Sequence, residues 1–105
     1  MIITKKYFDK KQLLIKSIRC KIGNLFHSEN DAPAYVDFDK DGDMLEQRWY
    51  TYGRKNRAFD RPSVIRYEAD DNKQTMSNAW YVHGKLHRLN DKPAIEIYFN
   101  DVIVQ

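Results

Sequence analysis

Residues 49–68 read WYTYGRKNRAFDRPSVIRYE, and residues 80–99 read WYVHGKLHRLNDKPAIEIYF. Aligned on Trp49 and Trp80, the two stretches share a glycine four residues on (Gly53, Gly84) and an arginine eight residues on (Arg57, Arg88). They also share an aspartate two residues before a proline: Asp60 before Pro62, and Asp91 before Pro93. A third copy, GNLFHSENDAPAYVDFD, opens at Gly23, carries Asp31 and Pro33, and has one extra residue before its histidine, His27. A fixed period near 30 residues marks a repeat architecture, in which one supersecondary unit recurs and buries its apolar face on its neighbour.

Within each unit the apolar period is two. In PSVIRYE, Ser63, Ile65 and Tyr67 alternate with Val64, Arg66 and Glu68; in PAYVDFD, Ala34, Val36 and Phe38 alternate with Tyr35, Asp37 and Asp39. That alternation, rich in β-branched and aromatic residues, predicts half-buried strands. Polar turns follow at Lys40-Asp41-Gly42-Asp43, at Ala69–Lys73 and at Asn100-Asp101, so each strand folds back as a hairpin. A second strand is then expected to run through Trp49 and through Trp80. The first twenty-two residues repeat the hairpin around Asp9-Lys10-Lys11-Gln12, without proline or tryptophan. The prediction is one all-β domain over residues 1–105: antiparallel hairpins stacked as an elongated repeat sheet of about seven or eight strands. Its parts are a divergent hairpin at 1–22 and repeats at 23–52, 53–83 and 84–105, the last truncated.

At 105 residues, 42% hydrophobic and 13% aromatic, the chain is too aromatic for disorder and too short for a thick core. The start, MIITKKYFDKK, does not read as a signal peptide, and Cys20 alone makes no internal disulfide, so a cytoplasmic setting is expected. One cysteine also excludes a cysteine-based zinc site.

The units Trp-Tyr-x-x-Gly-Lys-Leu-His-Arg-x-x-Asp-x-Pro-Ala at 80–94 and Trp-Tyr-x-x-Gly at 49–53 resemble MORN-type hairpin repeats. The likeness is to the variant with His-Arg and Pro-Ala signatures found in small phage and large-virus proteins. It covers 23–105 and implies a stacked-hairpin binding scaffold, with lipid head groups, proteins or toxin-type targets as ligands. This chain departs from it at Asn56 (for His), Ser63 (for Ala) and Ser28 (for Arg).

The net charge of +3 is unevenly spread. Residues 1–22 hold Lys5, Lys6, Lys10, Lys11, Lys16, Arg19 and Lys21 against Asp9. Residues 23–52 hold seven acids, among them Asp37, Asp39, Asp41 and Asp43, against Lys40 and Arg48. Either the two segments pair across adjacent strands, or the basic patch meets nucleic acid, anionic lipid or an acidic protein. The alternating acids lack the bidentate glutamate of a calcium loop and read as a solvated turn.

The constellation His87, Arg88 and Asp91 admits two readings. In one, His87 is a general base oriented by Asp91, with Arg88 binding an anion, as in a small hydrolase or nuclease. In the other the three close the loop, Asp91 through a local Asx turn and the others through nearby carbonyls. Recurrence at His27/Asp31 and Asn56/Arg57/Asp60 favours the second, because Asn56 does no acid–base work. No cofactor, metal or catalytic set is expected. If the strands through the tryptophans run regularly, Tyr50, Tyr52, Tyr81 and His83 share the face opposite Trp49 and Trp80; with Arg48 they form the expected partner-binding surface. The final strand, Val102-Ile103-Val104, is an apolar edge suited to homodimerisation. The leading expectation is a non-enzymatic protein-binding module, encoded by a phage and modulating a host defence or toxin-type protein. Nucleic-acid or anionic-membrane binding through the basic hairpin is the alternative.

Overall fold

A computed structural model describes residues 1–11, 14–70, 73–100 and 102–104. Strands β1 (Ile2–Phe8), β2 (Ile15–Ile22), β4 (Tyr35–Phe38), β5 (Met44–Arg48), β8 (Val64–Asp70), β9 (Lys73–Ala79), β12 (Ile95–Phe99) and β13 (Val102–Ile103) follow one another across a single antiparallel sheet. Strand β3 (Leu25–Phe26) folds back on the end of β2. Two detached hairpins pair β6 (Tyr50–Thr51) with β7 (Arg54–Lys55), and β10 (Tyr81–Val82) with β11 (Lys85–Leu86). The chain is all-β, as its period-two pattern requires, and forms a plate of 43 × 40 × 18 Å.

The main sheet runs through eight strands, within the number expected; the five further strands among the described residues, β3, β6, β7, β10 and β11, are two-residue pieces of the short turns that follow Cys20, Trp49 and Trp80, and at each tryptophan the segment is broken. Trp49 donates its N–H to the Ser63 carbonyl across the main sheet, while its own carbonyl accepts the Asn56 N–H from the short hairpin. Trp80 does the same with Ala94 and His87. The tryptophan is therefore a joint: its N–H serves the large sheet and its C=O the small hairpin. In the first unit Cys20 holds this position, bonded to Ala34 and His27, and β2 runs through it unbroken.

The extra residue before His27 is a shift of the turn. Seven residues separate Cys20 from His27, as they separate Trp49 from Asn56 and Trp80 from His87. The later units turn on Tyr52-Gly53 and His83-Gly84, both residues of each pair at positive φ, which is the type I′ hairpin pattern. The first unit turns one residue earlier, with Gly23 (φ 59°) leading. The long hairpins turn where expected. Asp39 Oδ1 accepts the N–H groups of Asp41 and Asp43 at 2.9 Å, and Asp9 Oδ1 accepts that of Lys11 at 2.7 Å. Strands β8 and β9 extend to Asp70 and Lys73; Asp71, Asn72, Gln12 and Asp101, which the expected turns include, lie outside the described residues.

The core is a line along the joints: Ala34, Val36, Trp49, Tyr50, Val64 and Trp80, with Ser17 and Ser63. Pro33, Pro62 and Pro93 each stand two residues ahead of a strand, outside the ladder. Two departures from the repeat prove to be bonded to the next unit. Ser28 Oγ accepts the Tyr50 N–H, and Ser63 Oγ both accepts the Tyr81 N–H and donates to its carbonyl, all at 3.1 Å. Ser63→Ala restores the repeat's alanine yet strands both Tyr81 main-chain groups. We expect it to lower unfolding free energy by about 1–2 kcal/mol in urea titration, against no change if those bonds are immaterial.

Candidate functional site

The same cluster forms at both boundaries between units. At the first, the Trp49 indole N–H donates to the Asp31 carbonyl (3.0 Å), and the Arg57 guanidinium lies 3.7 Å from the Trp49 ring centroid. Arg57 Nε and Nη2 donate to the two carboxylate oxygens of Asp31 at 3.0 and 3.2 Å, and Nη1 donates to the Pro62 carbonyl at 3.1 Å. At the second boundary Trp80, Asp60, Arg88 and Pro93 repeat each contact to within 0.1 Å. Arg61 and Lys92 add a second cation to Asp31 and Asp60 respectively. Both stacked guanidiniums are nearly covered, 13% and 12% exposed. Bidentate pairing on one side and an aromatic face on the other suit arginine and not lysine.

The turns that present these aspartates are strained for a reason. Asn30-Asp31, Phe59-Asp60 and Asn90-Asp91 all have φ between 53° and 63°, a type I′ pair where glycine is usual. Aspartate stands there because its carbonyl and carboxylate both reach the next unit. The Asx turn expected at Asp31 and Asp60 is accordingly not formed: each carboxylate spans 26 or 28 residues to an arginine. Nor do His87, Arg88 and Asp91 assemble as a catalytic set. Arg88 is engaged by Asp60, Pro93 and Glu96, so it is not free for an anion, and no hydrogen bond joins His87 to Asp91. Arg88 and Arg57 do hold their own loops, through the proline carbonyls. Among the described residues, no three His, Cys, Asp or Glu side chains gather as a metal cluster.

The expected aromatic surface divides. The break at Trp49 ends regular alternation, so Tyr50 turns inward: it is 8% exposed and stacks on Phe26 at 5.1 Å. Arg48 is clamped by Glu46 at 2.9 Å, and hydrogen bonding to that carboxylate holds its guanidinium charge even more firmly than usual. Tyr81 is half-buried under the Lys55 ammonium. Only Tyr52 and His83, at the tips of the short hairpins, are open. Tyr52 rests on the His27 ring, whose Nδ1 accepts the Tyr52 N–H at 3.0 Å.

One residue outside the expected surface is more open still. Phe59 is 85% exposed and sits at φ 63°, in a column where the other two units carry asparagine. An exposed aromatic in a left-handed turn is unfavourable on both counts. The signal in the sequence was the column itself, Asn30–Phe59–Asn90. Beside Phe59 is a hollow of 240 Å³, lined by Tyr50, Thr51, Asn56, Arg57, Phe59 and Arg61. A second hollow, of 530 Å³, lies at the opposite margin among Met44, Leu45, Tyr67, Met76 and Tyr98, rimmed by Asp39, Asp43 and Glu68.

Among the described residues no ion pair joins the two charged segments. Register sets Ser17 opposite Asp37, and Arg19 opposite Tyr35. Arg19 and Arg48 flank the Tyr35 ring at 5.8 and 4.8 Å instead. No ion pair among the described residues involves Lys5, Lys6, Lys10, Lys11, Lys16 or Lys21. Lys5 faces Arg19 directly, while Lys6, opposite Ile18, is on the other face, so the basic residues border an edge. Lysines on an edge strand discourage pairing with foreign strands. Lys21 covers Phe26 at 4.9 Å. In the acidic patch, Asp41 and Asp43 are exposed at the hairpin tip, Asp39 braces that tip, and Asp37 lies opposite Glu46.

A scan against family models, a search of curated proteins and a search of solved structures each find no match to this chain.

Hydrogen bonds from Arg57 and Arg88 hold the carboxyls of Asp31 and Asp60 below the ordinary carboxylate range. A lowered folded-state value means the unfolded chain takes up protons first as pH falls. The stabilisation is complete well above about pH 3.9 and is lost as pH drops through the lowered values. Melting temperature of the natural chain should therefore fall more steeply below about pH 4 than that of Asp31→Asn or Asp60→Asn. Parallel acid limbs would rule the pairing out as a source of stability.

Proposed function

We propose that this protein is a non-enzymatic protein-binding module that engages its partner along the margin of short hairpins and left-handed turns, with Phe59 and Tyr52 as anchors. Phe59 carries the reading. The left-handed turn belongs to the joint in every unit, but only here does it carry an exposed aromatic in place of asparagine, and a large aromatic at an interface supplies much area for little lost freedom. Arg61, 5.3 Å from the Phe59 ring, adds the charged neighbour common at such anchors. The resemblance to MORN-type repeats narrows the proposal to an inhibitor or modulator of a host defence or toxin-type protein, encoded by a phage and acting in the host cytoplasm. Affinity capture at low and high salt with mass spectrometry tests it. Phe59→Asn should melt at the same temperature or higher, since asparagine fills that column in the sister units, yet should lose the captured partner at least about tenfold. Equal capture by the variant overturns the assignment of Phe59.

A second reading rests on the lysines of the first hairpin, which find no carboxylate partner among the described residues. It makes Lys5, Lys6, Lys10 and Lys11 the contacts to nucleic acid or an anionic membrane. Their replacement by glutamine should abolish binding to DNA, RNA or anionic vesicles, and binding by the natural chain should weaken steeply with salt. Salt-insensitive binding removes this reading.

A further inference from the structure

The joint between units has a receiving half and an inserting half. The receiving half of the first unit consists of the Asp31 carbonyl and carboxylate, the His27 ring and the Ala34 N–H. These take the Trp49 indole, Arg57, the Tyr52 N–H and the Arg48 carbonyl respectively. The second unit offers Asp60, Asn56 and Ser63 in the same roles, to Trp80, Arg88, the His83 N–H and the Ala79 carbonyl. The third unit carries the receiving half again. Asn90-Asp91 adopts the same paired left-handed turn, and His87 and Ala94 hold the remaining positions. Among the described residues, no hydrogen bond or ion pair reaches the Asp91 carboxylate, the Asp91 carbonyl, the His87 ring or the Ala94 N–H.

The surroundings match. Leu86 and Leu89, beside these groups, are 48% and 62% exposed. The outer edge of β12 meets β13 at Tyr98 and Phe99, and its Ile97 carbonyl accepts the Val104 N–H at 2.8 Å; among the described residues nothing pairs with it nearer Ala94, whereas β8 meets β9 through seven pairs from Val64 to Asp70. Next to Ala94, then, among the described residues an edge is open to a strand, an acidic turn is open to a cation and an indole, and two leucines lie exposed.

We propose that this end of the sheet, built by His87, Asp91, Ala94 and the β12 edge, docks a β-hairpin of another polypeptide that carries a tryptophan and, eight residues later, an arginine. The occupant is read from the two joints already filled, where the inserted residues are Trp49 with Arg57 and Trp80 with Arg88. A second copy of this chain does not fit, because its foremost unit has Cys20 and Ser28 at those positions. The proposal rests on the protein-binding reading above but uses a different part of the surface. If capture through Phe59 succeeds and the experiment below fails, only the end-face assignment falls.

The probe is a synthetic peptide with the sequence of residues 75–99, titrated into the full chain and followed by amide NMR. Saturable shifts confined to Leu86, His87, Asp91 and Ala94 are expected. Asp91→Ala in the protein, or Trp80→Ala or Arg88→Gln in the peptide, should weaken binding at least about tenfold. A tethered form removes the cost of association: residues 79–99 are appended after Gln105. Counting from the Phe99–Val102 and Glu68–Thr75 pairs, this puts the added tryptophan in register with Asp91. Its indole N–H should then exchange slowly with solvent, and quickly once Asp91 is alanine. A peptide that binds elsewhere or equally well without its tryptophan and arginine overturns the proposal. So does a tethered indole that exchanges freely.

Discussion

A guanidinium held between an indole face and a carboxylate of the preceding unit is the contact on which the rest of this structure depends. A plate 18 Å thick has little interior to bury, so hydrophobic area alone does not fix how one hairpin sits on the next. The stacked arginine supplies geometry as well as attraction. Its planar face fits the ring, its forked donors fit the carboxylate, and its remaining amino group ties down the loop that bears the following proline. The indole N–H is satisfied by a main-chain carbonyl of the same turn. One cluster thereby fixes the distance, tilt and register of neighbouring units, and its repetition in Trp80, Arg88 and Asp60 gives both boundaries the same geometry.

The cost of this arrangement is localised in the turns. Asp31, Asp60 and Asp91 occupy a left-handed position that glycine would fill without strain. Glycine would offer the carbonyl but not the carboxylate. The conflict between local backbone preference and the contact to the next unit is settled in favour of the contact, and asparagine in the preceding position of the first and third units eases it. Phe59 does the reverse in the second unit, which is why it stands apart from its column and carries the functional proposal.

The period, the hairpins and the alternation of buried and open side chains are legible from Ser63, Ile65, Tyr67 and their counterparts, because strand pleating imposes them directly. The joint is not. A repeat with arginine, aspartate and proline in each copy is equally compatible with contacts inside a unit and contacts between successive units. Asp31 reaching Arg57, instead of bracing its own turn, is a fact of stacking that spacing does not encode. The break at Trp49 is hidden for a similar reason: whether a residue shares its N–H and C=O between two different sheets depends on partners a full unit away. Tyr50 turns inward as a consequence. The opposing charges of the first two segments mislead because net charge carries no register. Two residues of offset put Arg19 against Tyr35 instead of against Asp37.

The two tryptophans of this chain are both spent on joints, one at each. Excited apart from the seven tyrosines, its tryptophan fluorescence is thus a report on the joints alone. Each indole is stacked on a cation and donates to a carbonyl, so opening either boundary changes both its polarity and its contact with a quencher. Replacing Trp49 or Trp80 with phenylalanine leaves the other as the sole emitter, and the order in which the two units separate becomes something that can be watched in the intact molecule.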